Sequence, residues 1–124
     1  MIYLASPYSH EDQSVRELRF HAACRVTADL IRHGQAVYSP VVHAHPLTKQ
    51  NLPTDWSFWK SIDEELLGYC DALLVLQLDG WKESVGVQAE IVIAQQFGKP
   101  IWYHNPADWS ARLPRVTEVK RCGT

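Results

Sequence analysis

The run Ser84-Val85-Gly86-Val87-Gln88-Ala89-Glu90 brings a hydroxyl, a glycine and a carboxylate close together, just ahead of the apolar stretch Ile91-Val92-Ile93-Ala94. Ser84 falls where a helix starts. A hydroxyl there, beside unpaired backbone N–H groups and the positive end of the helix dipole, forms an anion site. Gly86 lets a ligand or another backbone approach closely. Glu90 follows nearly two turns later, and a carboxylate in so apolar a neighbourhood needs a partner, because burying an unpaired charge is costly. The plainer reading is an ordinary serine N-cap followed by a partly exposed helix glutamate.

A second chemistry-bearing group is His43-Ala44-His45-Pro46. Two imidazoles one residue apart bind a metal if a third ligand converges, which here requires Asp55 or Asp63 to fold back. Without one they are solvated loop histidines or substrate contacts. We expect no metal and take His43 as a substrate contact. His21 and His33 fall on a helix and at its end, where surface or capping roles suit them. Trp56, Trp59 and Trp81 flank the expected site, so Trp81 or a neighbour could stack on a flat ring of the ligand. The competing role for any of these indoles is core packing or a subunit interface. Trp102 reads as structural.

Positioning these groups falls to an alternating series of elements. Residues 2–5 are short and apolar, ended by Ser6-Pro7, and read as a first strand. Ser9 and Asp12 have capping-box spacing, and Val15, Leu18, Ala22, Val26 and Leu30 recur on one helical face up to His33-Gly34. Residues 36–39 form a brief strand stopped by Pro40, and 41–55 are aperiodic, reading as a binding loop. A second helix runs from 55 to 69 with Trp59, Ile62, Leu66 and Tyr69 on one face. Residues 71–78 are a near-continuous apolar strand of the kind covered on both faces. A third helix spans 84–97, Gly98 stops it, and 101–103 make a last strand. The tail beyond Pro106 has no clear pattern.

This order predicts an α/β fold, a small doubly wound, flavodoxin-like or Rossmann-like parallel sheet of four to five strands with helices on both faces. In such sheets ligands bind at the carboxyl ends of strands where the strand order reverses. The segments to watch are therefore 5–9, 39–46, 78–86 and 104–106, which adds Ser6 and Ser9 to the candidate binding residues.

The chain has 124 residues, enough for one domain spanning 1–124 with its own core. Its 12 Lys plus Arg against 14 Asp plus Glu argue against a nucleic-acid polymer or an anionic membrane as partner. No apolar stretch is long enough to cross a bilayer, and MIYLASPYSH lacks the basic head and apolar run of a signal peptide, so a cytoplasmic location is expected. Cys24, Cys70 and Cys122 show no CxxC spacing, and the first two read as reduced, buried thiols.

The YLASP opening, Asp71 at the start of the central strand and the S-V-G-V-Q-A-E run together resemble the nucleoside 2-deoxyribosyltransferase-like superfamily. The resemblance covers residues 2–103 and is closest to the 2′-deoxynucleoside 5′-phosphate N-hydrolase branch. The segment Gly80-Trp81 to Glu90 is also similar to a small bacterial family of uncharacterised domains with the signature G-W-x-x-S-x-G-x-x-x-E. The resemblance implies Glu90 as the nucleophile that attacks C1′ of the sugar, Asp71 as the residue assisting proton transfer at the base, and Tyr3 as the group orienting the nucleophile. It implies no cofactor, a small-molecule nucleotide or nucleoside as partner, and a homo-oligomer in which a neighbour completes the pocket, for which the aromatics of 52–60 are suited.

In the transferase branch an aspartate stands where this chain has Ser84. A carboxylate at a helix N-terminus repels a 5′-phosphate, whereas a serine hydroxyl with free N–H groups binds one, so the exchange leans toward a nucleoside monophosphate. The phosphate-binding hydrolases carry a serine and an arginine in the first loop. Here that loop reads Ser6-Pro7-Tyr8-Ser9-His10, with no arginine before Arg16. The function expected is cleavage of an N-glycosidic bond through a covalent glycosyl-Glu90 intermediate, with Ser84, Gly86, Ser6, Ser9, His43 and Trp81 binding the substrate. The alternatives are deoxyribosyl transfer between bases, a non-catalytic nucleotide-binding or sensor module, and a metal-dependent hydrolase on His43 and His45.

Overall fold

Side chains alternate across a strand, and in the first strand both sets are apolar, so both faces of the sheet must be covered. The computed structural model describes residues 1–106. In it β1 (Ile2–Ala5) is buried throughout. Ile2 and Leu4 pack with Val26 and Leu30 of α1 (Gln13–Arg32) on one face. Tyr3 and Ala5 face the other way, among residues of α3 (Trp56–Tyr69) and α4 (Val85–Gln96). The strand β3 (Ala72–Leu76) is likewise buried at every position. Its three leucines, 0–1% exposed, each contribute about 1.5–3 kcal/mol of burial. With β2 (Val37–Tyr38) and β4 (Ile101–His104) these strands form one parallel sheet in the order β2-β1-β3-β4. Tyr3 is in register with Tyr38 on one side and Leu73 on the other. The strand order reverses at β1, which sets the ligand-binding crevice above the carboxyl ends of β1 and β3.

The expected doubly wound α/β sheet is what the chain forms, with four strands. The differences are local. Asp12, not Ser9, caps α1, its carboxylate accepting from Ser14 N–H at 2.9 Å. On α1 the buried residues are Ala22, Ala23, Val26 and Leu30, while Leu18 is 69% exposed. Residues 41–55 are not one loop. They include most of α2 (Pro40–Thr48), capped by Ser39, whose Oγ accepts from Val42 N–H at 3.1 Å. Pro40 ends the strand and also starts the helix, because its fixed φ suits the first helical turn. Pro46, an unfavourable residue in a helix interior, hides the pattern in the sequence.

The buried face of α3 is Trp59, Asp63 and Leu67, rotated from the Trp59, Ile62, Leu66 and Tyr69 stripe, so that Ile62 and Tyr69 are exposed. Cys70 is buried, Cys24 is half-buried, and both are free. Cys122 and the tail after Pro106 lie outside the described residues. Among the described residues no helix is long and apolar enough to cross a membrane.

Candidate active site

Three elements converge beneath the crevice. Tyr3 leaves β1 on the α3/α4 side, fully buried, and its hydroxyl donates to Oε2 of Glu90. Glu90 is placed by α4, whose N-cap is Ser84, with Ser84 Oγ accepting from Val87 N–H at 3.2 Å. Asp63 comes from the buried face of α3, and it and Glu90 are only 6% and 5% exposed. Such burial penalises charge on both. It raises the Asp63 carboxyl to about 7. Glu90 rises to about 8, chiefly through burial, against the lowering effect of the Tyr3 hydrogen bond and with a further rise from the charge of Asp63. Tyr3 is itself pushed well above the ordinary tyrosine range by burial and then by Glu90 and Asp63. Tyr38, its ring 5.7 Å from that of Tyr3, is raised for the same reasons. Two interacting carboxyls titrate as a pair, and this pair retains a proton near neutral pH. A carboxylate and a carboxylic acid lining one cavity can serve as nucleophile or base and as acid.

Glu90 and Asp63 line a cavity of about 450 Å³, with Ser6, Tyr8 and Ser9 after β1, Val41 on α2, and Ser84 to Gly86 at the start of α4. Trp56 and Trp59 supply its aromatic wall. Trp59 is fixed by its indole N–H, which donates to Pro53 O at 2.8 Å. Gly86 lies against Trp56, where a Cβ would meet the indole at 3.4 Å, about van der Waals contact. Ser6 Oγ is buried and has no hydrogen-bond partner among the described residues. Ser9 Oγ donates to Thr54 O at 2.7 Å. The lining carries the carboxylates of Asp55, Asp63, Glu83 and Glu90, and among the described residues no Lys or Arg. Arg19 is turned to the carbonyls of Ser9, Asp79 and Tyr8 at 3.0, 3.2 and 3.4 Å, and Arg16 donates to His10 O.

The sequence matches one family, described as a domain of unknown function, DUF1937, over residues 1–105. The chain belongs to the DUF1937 family. No curated protein matches it.

In this DUF1937 domain the structure unites Tyr3, Glu90, Ser84, Gly86, Ser6 and Ser9 around one cavity. Three expected site residues stand elsewhere. Asp71 precedes β3 and therefore lies at the amino edge of a parallel sheet, opposite the crevice. Its carboxylate pairs with the amino group of Met1, and its N–H donates to Met1 O at 2.8 Å. His43 is exposed on α2, its Nδ1 3.2 Å from the Tyr38 hydroxyl. Trp81 packs 5.9 Å from Tyr103 beside a separate polar groove.

His43 and His45 diverge to different partners, and among the described residues no group of three His, Cys, Asp or Glu could hold a metal ion. Trp102, expected to be structural, is 37% exposed. The second buried carboxyl lining the cavity with Glu90 in this DUF1937 domain is Asp63. Its signal in the sequence was the spacing Trp59, Asp63, Leu67, a helical face with an acid at its centre.

Proposed function

We propose that this domain cleaves the N-glycosidic bond of a nucleoside, with Glu90 as nucleophile and Asp63 as proton donor. The observation that carries the reading is the buried Tyr3–Glu90 hydrogen bond, with Glu90 and a second buried carboxyl, Asp63, in the lining of one cavity walled by Trp56 and Trp59. A Glu90 oxygen attacks C1′ as the C1′–N bond breaks. The bonding pair goes to the base nitrogen, and the proton comes from Asp63 directly or through the base. Water or the nitrogen of a second base then attacks C1′ and releases Glu90, and the proton it sheds returns to Asp63. Glu90 keeps its proton longer than Asp63, so the reactive state is the one in which the proton has passed to Asp63; Tyr3 favours that ionised form of Glu90 and fixes its direction. The indoles suit a flat heterocycle.

The acidic lining bears on the sugar's 5′ end. Ser84 and the α4 N-terminus attract negative charge, but Glu83, Asp55 and the reacting carboxyls oppose a phosphate dianion with no cation to offset them. The reading therefore moves from the monophosphate to the free nucleoside, with Ser6 Oγ and Ser84 Oγ as neutral hydrogen-bonding groups. The same reading takes the chain to be a homo-oligomer. The exposed Phe58, Ile62 and Tyr69 of α3 support it, and sedimentation equilibrium tests it.

Base release from ribo- and deoxynucleosides and their 5′-monophosphates, followed by chromatography, tests the function. Release from free nucleosides that disappears in Glu90→Ala supports it, and added free base separates transfer from hydrolysis. Full release by Glu90→Ala removes the mechanism. Nucleoside binding with no release from any compound favours a non-catalytic binding module.

A further inference from the structure

A polar chain joins the cavity to the packing between α1 and α2, and the reaction above does not use it. Tyr8 lines the cavity, and its hydroxyl lies 2.6 Å from His45 Nδ1. His45 Nε2 lies 3.0 Å from Glu17 Oε1. The imidazole is 4% exposed, stacked on Phe20 with centroids 4.3 Å apart and set edge-on to Tyr8 at 5.5 Å. Lys49 Nζ lies 3.6 Å from Glu17 Oε1, and His21 Nε2 lies 3.9 Å from its second oxygen. Against the opposing effect of burial, the His45 hydrogen bond and the Lys49 charge hold the Glu17 carboxyl below its ordinary range. An ionised carboxylate only accepts, so the neutral imidazole carries its hydrogen on Nε2 and keeps a lone pair on Nδ1. That lone pair takes the hydrogen of Tyr8. Having turned its hydrogen toward His45, the phenol oxygen has only lone pairs left to offer the cavity.

We propose that Tyr8 is a specificity residue of the cavity, held as a hydrogen-bond acceptor by the His45–Glu17 pair, so that the site selects a ligand presenting an N–H or O–H donor at that position. This rests on the cavity taking a nucleoside, whose donors are sugar hydroxyls and exocyclic amines. Glu17 and His45 are positioning residues, since they act through Tyr8. The groups facing His45 and its partner are Tyr8 from the β1–α1 loop, Glu17 and His21 from α1, and Lys49 at the end of α2. Protonating His45 reverses the polarity: Nδ1–H then donates to Tyr8, and the phenol hydrogen turns to the cavity.

Two measurements test this. Nitrogen-15 NMR of histidine-labelled protein at pH 8 reads the tautomer without any ligand. His45 is expected as the Nε2–H form, giving way to a mixture in Glu17→Gln, and a predominant Nδ1–H form in the wild type overturns the proposal. The second is binding of 2′-deoxyadenosine and of analogues methylated at the exocyclic amine, the 3′-hydroxyl or the 5′-hydroxyl, to wild type and Tyr8→Phe. One methylation is expected to weaken wild-type binding roughly 3- to 10-fold, the loss of one neutral hydrogen bond, and to have no effect in Tyr8→Phe. Methylation losses that persist unchanged in Tyr8→Phe overturn the role of Tyr8 alone. Failure of every nucleoside to bind instead removes the nucleoside reading, and this role with it, whatever the tautomer.

Discussion

Glu90→Gln is expected to make the protein more stable while removing base release. Glu90 is buried, and its carboxyl is raised from 4.5 to about 8 in the fold. Between those values the unfolded chain has lost this proton and the folded chain has kept it. Stability from this group is therefore complete below pH 4.5 and declines as pH rises toward 8. The slope is about 1.4 kcal/mol per pH unit. At pH 7 the accumulated loss is about 3 kcal/mol. Glutamine has no proton to lose, and its carbonyl can still accept from Tyr3. Comparing the variant with the wild type at each pH cancels the contributions of titrating groups that do not interact with Glu90, and leaves in the difference its coupling to Asp63. Urea unfolding at pH 4.5, 6, 7 and 8 should show curves that nearly coincide at the lowest pH and diverge upward, reaching a midpoint difference of roughly 1–3 M at pH 7 for an m-value typical of small domains. Parallel wild-type and variant profiles, with no divergence above pH 5, would refute the argument that burial holds Glu90 protonated.

Further outcomes follow from the same geometry. Asp63→Asn should abolish base release, whereas Asp71→Asn, at the opposite edge of the sheet, should leave kcat unchanged; steady-state kinetics with a cleaved nucleoside compare them. The singly protonated carboxyl pair predicts a bell-shaped pH–rate profile centred between about 7 and about 8. Tyr3→Phe removes a hydrogen bond to a charged group, an effect of about 1.5–3 kcal/mol, and should move the alkaline limb upward by about one to two pH units while lowering the maximal rate, because the ionised form of Glu90 becomes rarer. Ser39→Ala should lower stability by about 1 kcal/mol through loss of the α2 cap, measured by thermal unfolding.

The strands, the α1 stop at Gly34 and the whole of α4 were legible in the sequence because local pattern and tertiary demand agree there. Gly34 does sit at φ +85, as a left-handed C-terminal residue should. The Tyr3, Glu90 and Ser84 part of the site was legible for the same reason: a carboxylate set in Ala89-Glu90-Ile91-Val92 points inward with its helix face. Asp63 was obscured because counting apolar residues favours the Ile62, Leu66 and Tyr69 stripe. That stripe is partly solvent-facing, and the true inner face contains a charged residue. Asp71 was misplaced by the resemblance, because a residue opening a parallel strand lies at the edge away from the ligand. The helix α2 was hidden by its two prolines, one compatible with a first turn and one that disfavours any helix interior. His45 became meaningful only once α2 put its ring against Phe20 and Glu17.

The anchoring of Tyr3 on β1 has a consequence for how the molecule opens. β1 is paired on both sides and buried on both faces, so its amides should exchange with solvent only when the sheet comes apart. Part of the cavity's rim is built from the nine-residue α2 and the segment that follows it, which lie outside the hydrogen-bonded sheet. Sub-global opening of that rim can admit and release ligand while the Tyr3–Glu90 bond stays intact. Hydrogen exchange should therefore divide the domain into a fast rim and a slow floor, with ligand traffic drawing on the first and the alignment of the reacting groups on the second.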